Sequence, residues 1–351
     1  MPYLHPFKKE DILSLVRIRR YETKLGERVQ TMHQVQQFRE SMMESDADFV
    51  VLGIPEDIGI KANEGIGGAH TAWSAFLQTF LNIQSNDFLD GWEILMAGYF
   101  DFGSLQDIIE MNAYNYEEKI EAYRHAVNTI DDAVEQMIHE ITQQKKIPII
   151  IGGGHNNAYP CIKGAAKGWY KAGMIDLPQI NVINLDAHAD YRAMEGRHSG
   201  NAFRYAEEDG YLEKYCILGL HENYIAQNIW MDIVNNPFID CITYEDIFLH
   251  EKRSFQQAMA HAAGFTEGGL CGIVLDVDAI ENVLSSAGSP TGIGVIHARQ
   301  YVNFMAWNTR PAYLHICEAA TRLEDGRQNI ASGKLISYLV SDFIKAMLAQ
   351  L

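Results

Sequence analysis

The chain has 351 residues, 47% apolar and 21% charged, with a formal net charge of −18. Length and composition fit one large α/β domain that buries a full core without staples. The negative charge excludes a surface that tracks nucleic acid or docks on anionic membrane, because both need clustered Lys and Arg. Five cysteines, Cys161, Cys216, Cys241, Cys271 and Cys317, are widely spaced and include no CxxC pair. They predict reduced thiols, neither a disulfide framework nor a thiolate zinc site. No charged segment followed by an apolar run opens the chain, and no apolar run reaches the roughly 18 residues of a membrane span. The expected location is the cytoplasm.

Residues 1–47 are polar and periodic and predict a helical extension, including a helix near Val29–Met43. Residues 48–351 form the second unit. It opens with Asp48–Ile54, a short apolar run ending in Gly and Pro, which predicts a buried strand. Asp57 to His70 is glycine-rich and reads as a long functional loop. A helix is predicted over Thr71–Ile83, a short strand over Glu93–Met96 and a long helix over Tyr116–Gln144. Further strands are expected at Ile147–Ile151, Ile180–Leu185, Tyr215–Leu220 and Cys241–Thr243, the last followed by a helix to about Ala263. Leu270–Leu275 and Tyr313–Ile316 are the remaining strands, and Ser332–Leu351 reads as a C-terminal helix. Apolar strands alternating with helices predict a parallel sheet covered on both faces.

Three of these strands end in metal-type ligands. They read Ile149-Ile150-Ile151-Gly152-Gly153-Gly154-His155, Val182-Ile183-Asn184-Leu185-Asp186-Ala187-His188-Ala189-Asp190 and Ile273-Val274-Leu275-Asp276-Val277-Asp278. Ligand sites in open α/β sheets lie beyond the carboxyl ends of strands. Alternate residues of an extended chain face one side, so Asp186, His188 and Asp190 are expected in a row, as are Asp276 and Asp278. Taken singly, each segment is also what an ordinary loop or helix cap looks like. Together, four Asp and two His at strand ends are costly to bury unless metal-bound or paired. They suit two divalent ions a few ångströms apart, and manganese above thiolate-seeking metals.

These segments resemble the ureohydrolase superfamily of arginase, agmatinase and formimidoylglutamase, which has Gly-Gly-x-His, Asp-x-His-x-Asp and Asp-x-Asp in this order. The resemblance covers about residues 48–345. It implies a three-layer α/β/α fold with a largely parallel, eight-stranded sheet. It also implies two manganese ions, one on His155, Asp186, Asp190 and Asp276, the other on Asp186, His188, Asp276 and Asp278. Asp190 would hold the attacking hydroxide, and Glu318, after the last strand, resembles the glutamate that faces the substrate's cationic group. His198 stands near the position of an arginase proton shuttle. A small-molecule substrate and a homo-oligomer, trimer or hexamer, are implied in the same way.

Within the superfamily the chain is most similar to formimidoylglutamase. Gly154 stands where arginases and agmatinases have Asp, and Asp190 is followed by Tyr191-Arg192. Asp57-Ile58-Gly59-Ile60-Lys61-Ala62-Asn63-Glu64-Gly65 and Ser199-Gly200-Asn201-Ala202-Phe203 resemble its segments, so Asn63, Ser199 and Asn201 join Arg192 as substrate-binding candidates. A guanidinium at Arg192 can grip a carboxylate with two parallel hydrogen bonds. The chain departs from the pattern at Ile66, Ala287-Gly288 and Glu318-Ala319-Ala320. The expected reaction is therefore hydrolysis of N-formimidoyl-L-glutamate to glutamate and formamide, with arginine or another guanidino compound as the alternative. A catalytically inactive binding relative is the reading of a different class.

Overall fold

Ten strands form one sheet in the computed structural model, which describes residues 2–32 and 38–350. They are β1 (Leu4–Pro6), β2 (Gln30–Thr31), β3 (Phe49–Gly53), β4 (Ile94–Phe100), β5 (Ile147–Ile151), β6 (Ile180–Leu185), β7 (Leu212–Leu220), β8 (Ile239–Thr243), β9 (Cys271–Asp276) and β10 (Pro311–Cys317). The order is β1-β4-β3-β5-β10-β9-β6-β7-β8, with β2 pairing β4 beside β1. From β3 to β10 every pairing is parallel, and only β1 runs antiparallel. This is the three-layer α/β/α arrangement with a largely parallel sheet that the resemblance implies, but with ten strands in place of the expected eight, because the N-terminal segment adds β1 and β2.

Strand alternation divides the core into two layers. Val50, Leu52 and Ile150 face one layer, and Phe49, Val51, Ile149 and Ile151 face the other. Helices Tyr116–Gln143 and Ala158–Lys171 cover the first face; Thr71–Phe80, Val295–Asn308 and Ser332–Leu348 cover the second. The 28-residue helix starts where Asn115 accepts a hydrogen bond from the Glu118 N–H at 2.9 Å, with Glu117 and Glu118 in its first turn. Acidic residues there complement the helix dipole. Its buried positions Val127, Ile130, Val134, Met137, Ile138 and Ile141 recur at three and four residues, one apolar stripe.

Several boundaries differ from the sequence reading. The helix expected near Val29–Met43 resolves into Leu25–Arg28, the strand β2 and a helix Phe38–Glu44; residues 33–37 lie outside the described residues. The N-terminal segment is therefore not a purely helical extension, since it adds β1 and β2 to the sheet. The glycine-rich loop contains a short helix, Ile58–Ala62. The helix expected to run to Ala263 splits into Tyr244–Phe248 and Phe255–Phe265, because Ser254 caps a new start. The Ala158–Lys171 helix escaped the pattern. It carries Pro160, harmless in a first turn, and two glycines with a tertiary role. A Cβ on Gly164 would stand 2.6 Å from the Glu135 carbonyl oxygen, and one on Gly168 2.6 Å from that of His139. The glycines let this helix press against Tyr116–Gln143. No described helix is long and apolar enough to cross a membrane.

The loop after β3 is fixed from inside. Buried Asp57 accepts hydrogen bonds from the Gly68 N–H at 2.9 Å and the His70 N–H at 3.2 Å, and its other oxygen meets His70 Nδ1. Burial pushes the Asp57 carboxyl up, but His70 pulls it below its usual range on balance. The His70 imidazole is raised, chiefly by its hydrogen bond to Asp57.

Two predictions follow from these contacts. Gly164→Ala must drive two packed helices apart, so it is expected to lower stability by about 1–3 kcal/mol, read as a shift of the urea midpoint. An unchanged midpoint would show that the interface yields freely. For the second, a raised imidazole adds stability in full below its unfolded pKa and loses it as pH rises through the folded value. A depressed carboxylate adds stability above its unfolded pKa and loses it as pH falls through the folded value. Both contributions coexist between roughly pH 4 and 6.5. The stability gap between the native chain and His70→Gln is expected to be widest there, to stay within about 1 kcal/mol because His70 is half-exposed, and to shrink above about pH 7. A gap constant across that range would count against the pair.

Candidate metal centre

Four adjacent strands in the middle of the sheet, β5, β10, β9 and β6, each end at the same spot. After β5 the chain turns through Gly152 and Gly153 at φ 89° and 76°, values that side chains rarely adopt. A Cβ on Gly153 would meet the Asn157 amide nitrogen at 2.6 Å and the Ile54 carbonyl oxygen at 2.7 Å. Buried Glu56 clamps this turn: it accepts from the Gly154 N–H at 3.0 Å, from Asn157 Nδ2 at 2.7 Å and from the Gly59 N–H at 3.1 Å. The turn delivers His155, which is fully buried.

The extended rows expected for the Asp segments do not form. Strand β6 stops at Leu185, and Asp190 takes a left-handed φ of 44°. Likewise β9 stops at Asp276, and Asp278 lies in the single turn Val277–Ala279. Each first aspartate caps its own turn, since Asp186 Oδ1 accepts from the His188 N–H at 2.7 Å and Asp276 Oδ1 from the Asp278 N–H at 2.8 Å. Turns, not alternation, bring the side chains together.

His155 Nδ1 stands 2.8 Å from Asp190 Oδ2, 3.1 Å from Asp276 Oδ2 and 3.2 Å from Asp186 Oδ2. Yet both ring nitrogens of His155 lack a hydrogen-bond partner. Donor atoms about 2.1 Å from one ion and at right angles around it stand about 3 Å apart, the spacing seen here. Beside this group, His188 Nδ1 lies 3.0 Å from Asp278 Oδ2 and 3.7 Å from Asp186 Oδ1. Asp186 thus offers one oxygen to each group, as a shared carboxylate does. The donor set fits two divalent cations. Burial, then Asp278 and Asp186, push the Asp276 carboxyl well above its usual range. Burial works against a charged His188, but Asp278 and Asp186 outweigh it and raise the imidazole.

A second rank of residues orients these donors. Asn184 Nδ2 donates to Asp186 Oδ2 at 2.9 Å, and Tyr215 Oη donates to the Ala189 carbonyl at 2.9 Å. Buried Arg197 binds Asp131 at 2.9 Å, donates to the Asn156 carbonyl and to Asn201 Oδ1 at 2.8 Å each, and stacks on Tyr159 and Tyr205. Polar Asn184 inside an apolar strand was a readable signal in the sequence; Glu56, Tyr215 and Arg197 carried none.

A cavity of about 480 Å³ opens above the cluster, with His188, Asp190, Asp276, Asp278 and Glu318 in its lining. Glu318 Oε1 accepts from the His155 N–H at 2.9 Å, and Ser286 Oγ donates to Oε2 at 3.0 Å. Burial first, with Asp278 and Asp190 nearby and the His155 N–H opposing, pushes the Glu318 carboxyl up to about 8. Arg192, Asn63 and Ser199 line the polar side. Arg192 donates to Asn63 Oδ1 and to Glu195 Oε1, at 2.7 Å each, and Asn63 Nδ2 reaches Ser199 Oγ at 3.2 Å. Tyr224 stacks on His188 at 5.0 Å and is joined in the lining by Ile225 and Ile229. Two candidates are not brought to the cavity. His198 is buried, with Nδ1 accepting from the Gly200 N–H at 3.1 Å and Nε2 facing Glu195; burial, then Arg192, lowers its imidazole to about 4. Asn201 is buried too, and holds the Ala193 and Gly196 carbonyls. Both sit in the loop's own hydrogen bonds.

The arginase family model matches residues 47–320. The formimidoylglutamase of Geobacillus sp. (strain WCH70) is 26% identical over 292 residues, covering 81% of this chain and 79% of that protein. The formimidoylglutamase of Aromatoleum aromaticum is 27% identical over 183 residues, covering 51% of this chain. The chain spans about half the length of that relative, 49%. Among solved structures, a Trypanosoma cruzi formiminoglutamase with Mn2+ superposes with a TM-score of 0.68 at 19% identity, covering 93% of this chain and 98% of the other. The formimidoylglutamase of Bacillus subtilis gives 0.70 at 16%, covering 95% and 94%. The solved structures establish a shared fold, and the family match spans most of the residues that build the site: the chain belongs to the arginase family.

Proposed function

We propose that the chain is a metal-dependent hydrolase of an amidine C–N bond, and that N-formimidoyl-L-glutamate is its substrate. The observation that supports this most is the convergence of two imidazoles and four carboxylates beneath a cavity whose rim carries Arg192. In this reading His155, Asp186, Asp190 and Asp276 hold one cation, and Asp186, His188, Asp276 and Asp278 the other. Manganese suits such an oxygen-rich set with imidazole. Two such ions, when bound, acidify a water and polarise the C=N carbon it attacks.

The chain's own residues then do the rest. Asp190, at the cavity wall, accepts the proton of the attacking water and returns it to the leaving nitrogen. Addition of water and loss of the amine give formamide and glutamate, which balances the atoms. Glu318 faces the amidinium, whose positive charge favours the ionised carboxyl, and is held at one oxygen by the His155 N–H and at the other by Ser286 Oγ. Arg192 grips a substrate carboxylate by exchanging Glu195 for it, while Asn63 keeps the guanidinium in place. His198 holds the loop through Gly200 and Glu195 and takes no part in proton transfer. The relatives' names, formimidoylglutamase, support the substrate. Arginine is the second reading: it carries one carboxylate, which Arg192 could take by the same exchange with Glu195. A trimer or hexamer belongs to the same proposal and is read by sedimentation.

Two outcomes are expected. Protein loaded with manganese and freed of excess should hold near two equivalents by elemental analysis, and Asp186→Asn should hold fewer and lose most activity, because an amide cannot replace a shared carboxylate's charge. An active native chain with no metal would overturn the reading. Second, formiminoglutamate should be preferred over arginine and agmatine in a substrate panel. A bidentate Arg–carboxylate contact is worth on the order of 1.5–3 kcal/mol, so Arg192→Lys should lower kcat/KM about 10- to 150-fold for carboxylate substrates. Urea from arginine as the dominant product would reassign the chain as an arginase, and equal rates on agmatine would remove the role of Arg192.

A further inference from the structure

Cys317 ends β10, and its in-register neighbour on β9 is Asp276. In-register residues of adjacent strands turn to the same face, so the thiol and the carboxylate stand side by side. The Cys317 sulfur, a carboxylate oxygen of Asp276 and a ring nitrogen of His155 all lie within 4.8 Å of one another. Cys317 and His155 are fully buried, and Asp276 almost so. Two observations accompany this grouping. Both His155 ring nitrogens lack a partner. The thiol's own contact is a weak one, to the Leu275 carbonyl at 3.8 Å. Among the described residues, no other cysteine joins such a group.

The sequence, with no CxxC pair, predicts no thiolate site; these three donors are neighbours in space and not along the chain. Soft sulfur selects metals that an oxygen-rich set does not. We propose that Cys317, His155 and Asp276 form an alternative site for a single thiophilic cation, Cd2+ or Zn2+. It excludes the harder ion from the His155–Asp186–Asp190–Asp276 group, because the two sets share His155 and Asp276. Binding exchanges the S–H bond for a sulfur–metal bond, and the proton leaves to solvent. Asp276 lines the cavity, so the soft ion enters by the same route as the hard one. The inference rests on the metal centre proposed above.

The test titrates the metal-free chain with Cd2+ and follows the ultraviolet thiolate-to-cadmium charge-transfer band together with cadmium NMR. One cadmium per chain should carry the band and a resonance in the sulfur-ligated range. Cys317→Ser and Cys317→Ala should lose the band, and excess Mn2+ should bleach it in the native chain. A band that survives in both variants overturns the proposal. So does a native chain that binds cadmium with no band and a resonance of oxygen and nitrogen ligation only, a measurement that does not depend on the variants folding. Manganese uptake, read by electron paramagnetic resonance, separates the two levels. Uptake of manganese with no cadmium band removes the sulfur donor alone, and no uptake of either metal removes the centre with it.

Discussion

Four aspartates, each with an oxygen in reach of an imidazole from His155 or His188, stand at the buried ends of parallel strands. Like charges gathered in a dry place repel, and removing each from water costs several kcal/mol unless a counter-charge or hydrogen bonds compensate. The surrounding structure answers that constraint. The sheet order puts β5, β10, β9 and β6 side by side, so the ends of non-consecutive strands meet. Gly152 and Gly153 permit the sharp exit from β5, and Glu56 holds it. Asp186 and Asp276 each spend one oxygen on a backbone N–H, which fixes where the other points. Arg197 and Asp131 neutralise each other beneath the loop that carries Asp190, so the loop gains a rigid anchor without adding net charge to the site.

The cavity divides recognition from chemistry by its walls. The floor is acidic and suits a cationic, nitrogen-rich group. The lining also carries polar Asn63, Arg192 and Ser199 and the aromatic and aliphatic Tyr224, Ile225 and Ile229. Tyr224 has a double place in this, because the ring that forms the wall also covers His188.

The donors were legible in the sequence because three apolar strands each run into His or Asp, and although each segment alone reads as an ordinary loop or cap, the three together do not. Their local geometry was not. Asp186, His188 and Asp190 share a period of two, which implies an extended row, but the strand ends before them and the turns do the gathering. Partners far apart along the chain were also hidden: Glu56 meets Asn157, Arg197 meets Asp131, and neither segment hints at the other. The Ala158–Lys171 helix was obscured by Pro160, Gly164 and Gly168, whose meaning is tertiary. For substrate choice, Arg192 could be named, but not that Glu195 and Asn63 already occupy it. His198 and Asn201 illustrate the limit of proximity along the chain, since both lie next to cavity residues and face away from it.

The N-terminal strands have a consequence beyond architecture. Along the outer side of β4, β2 pairs Leu95 and Met96, and β1 pairs Gly98, Tyr99 and Phe100. Strand β4 reads Ile-Leu-Met-Ala-Gly-Tyr-Phe, uncharged and free of proline, the composition of a segment that stacks into cross-β fibrils when its edge is open. The two short strands cover that edge end to end, and the close approach of His5 to Gly98 leaves no room for a rival strand. Residues 4–6 and 30–31 therefore close the β4 edge, leaving its backbone groups unavailable to a strand from another chain.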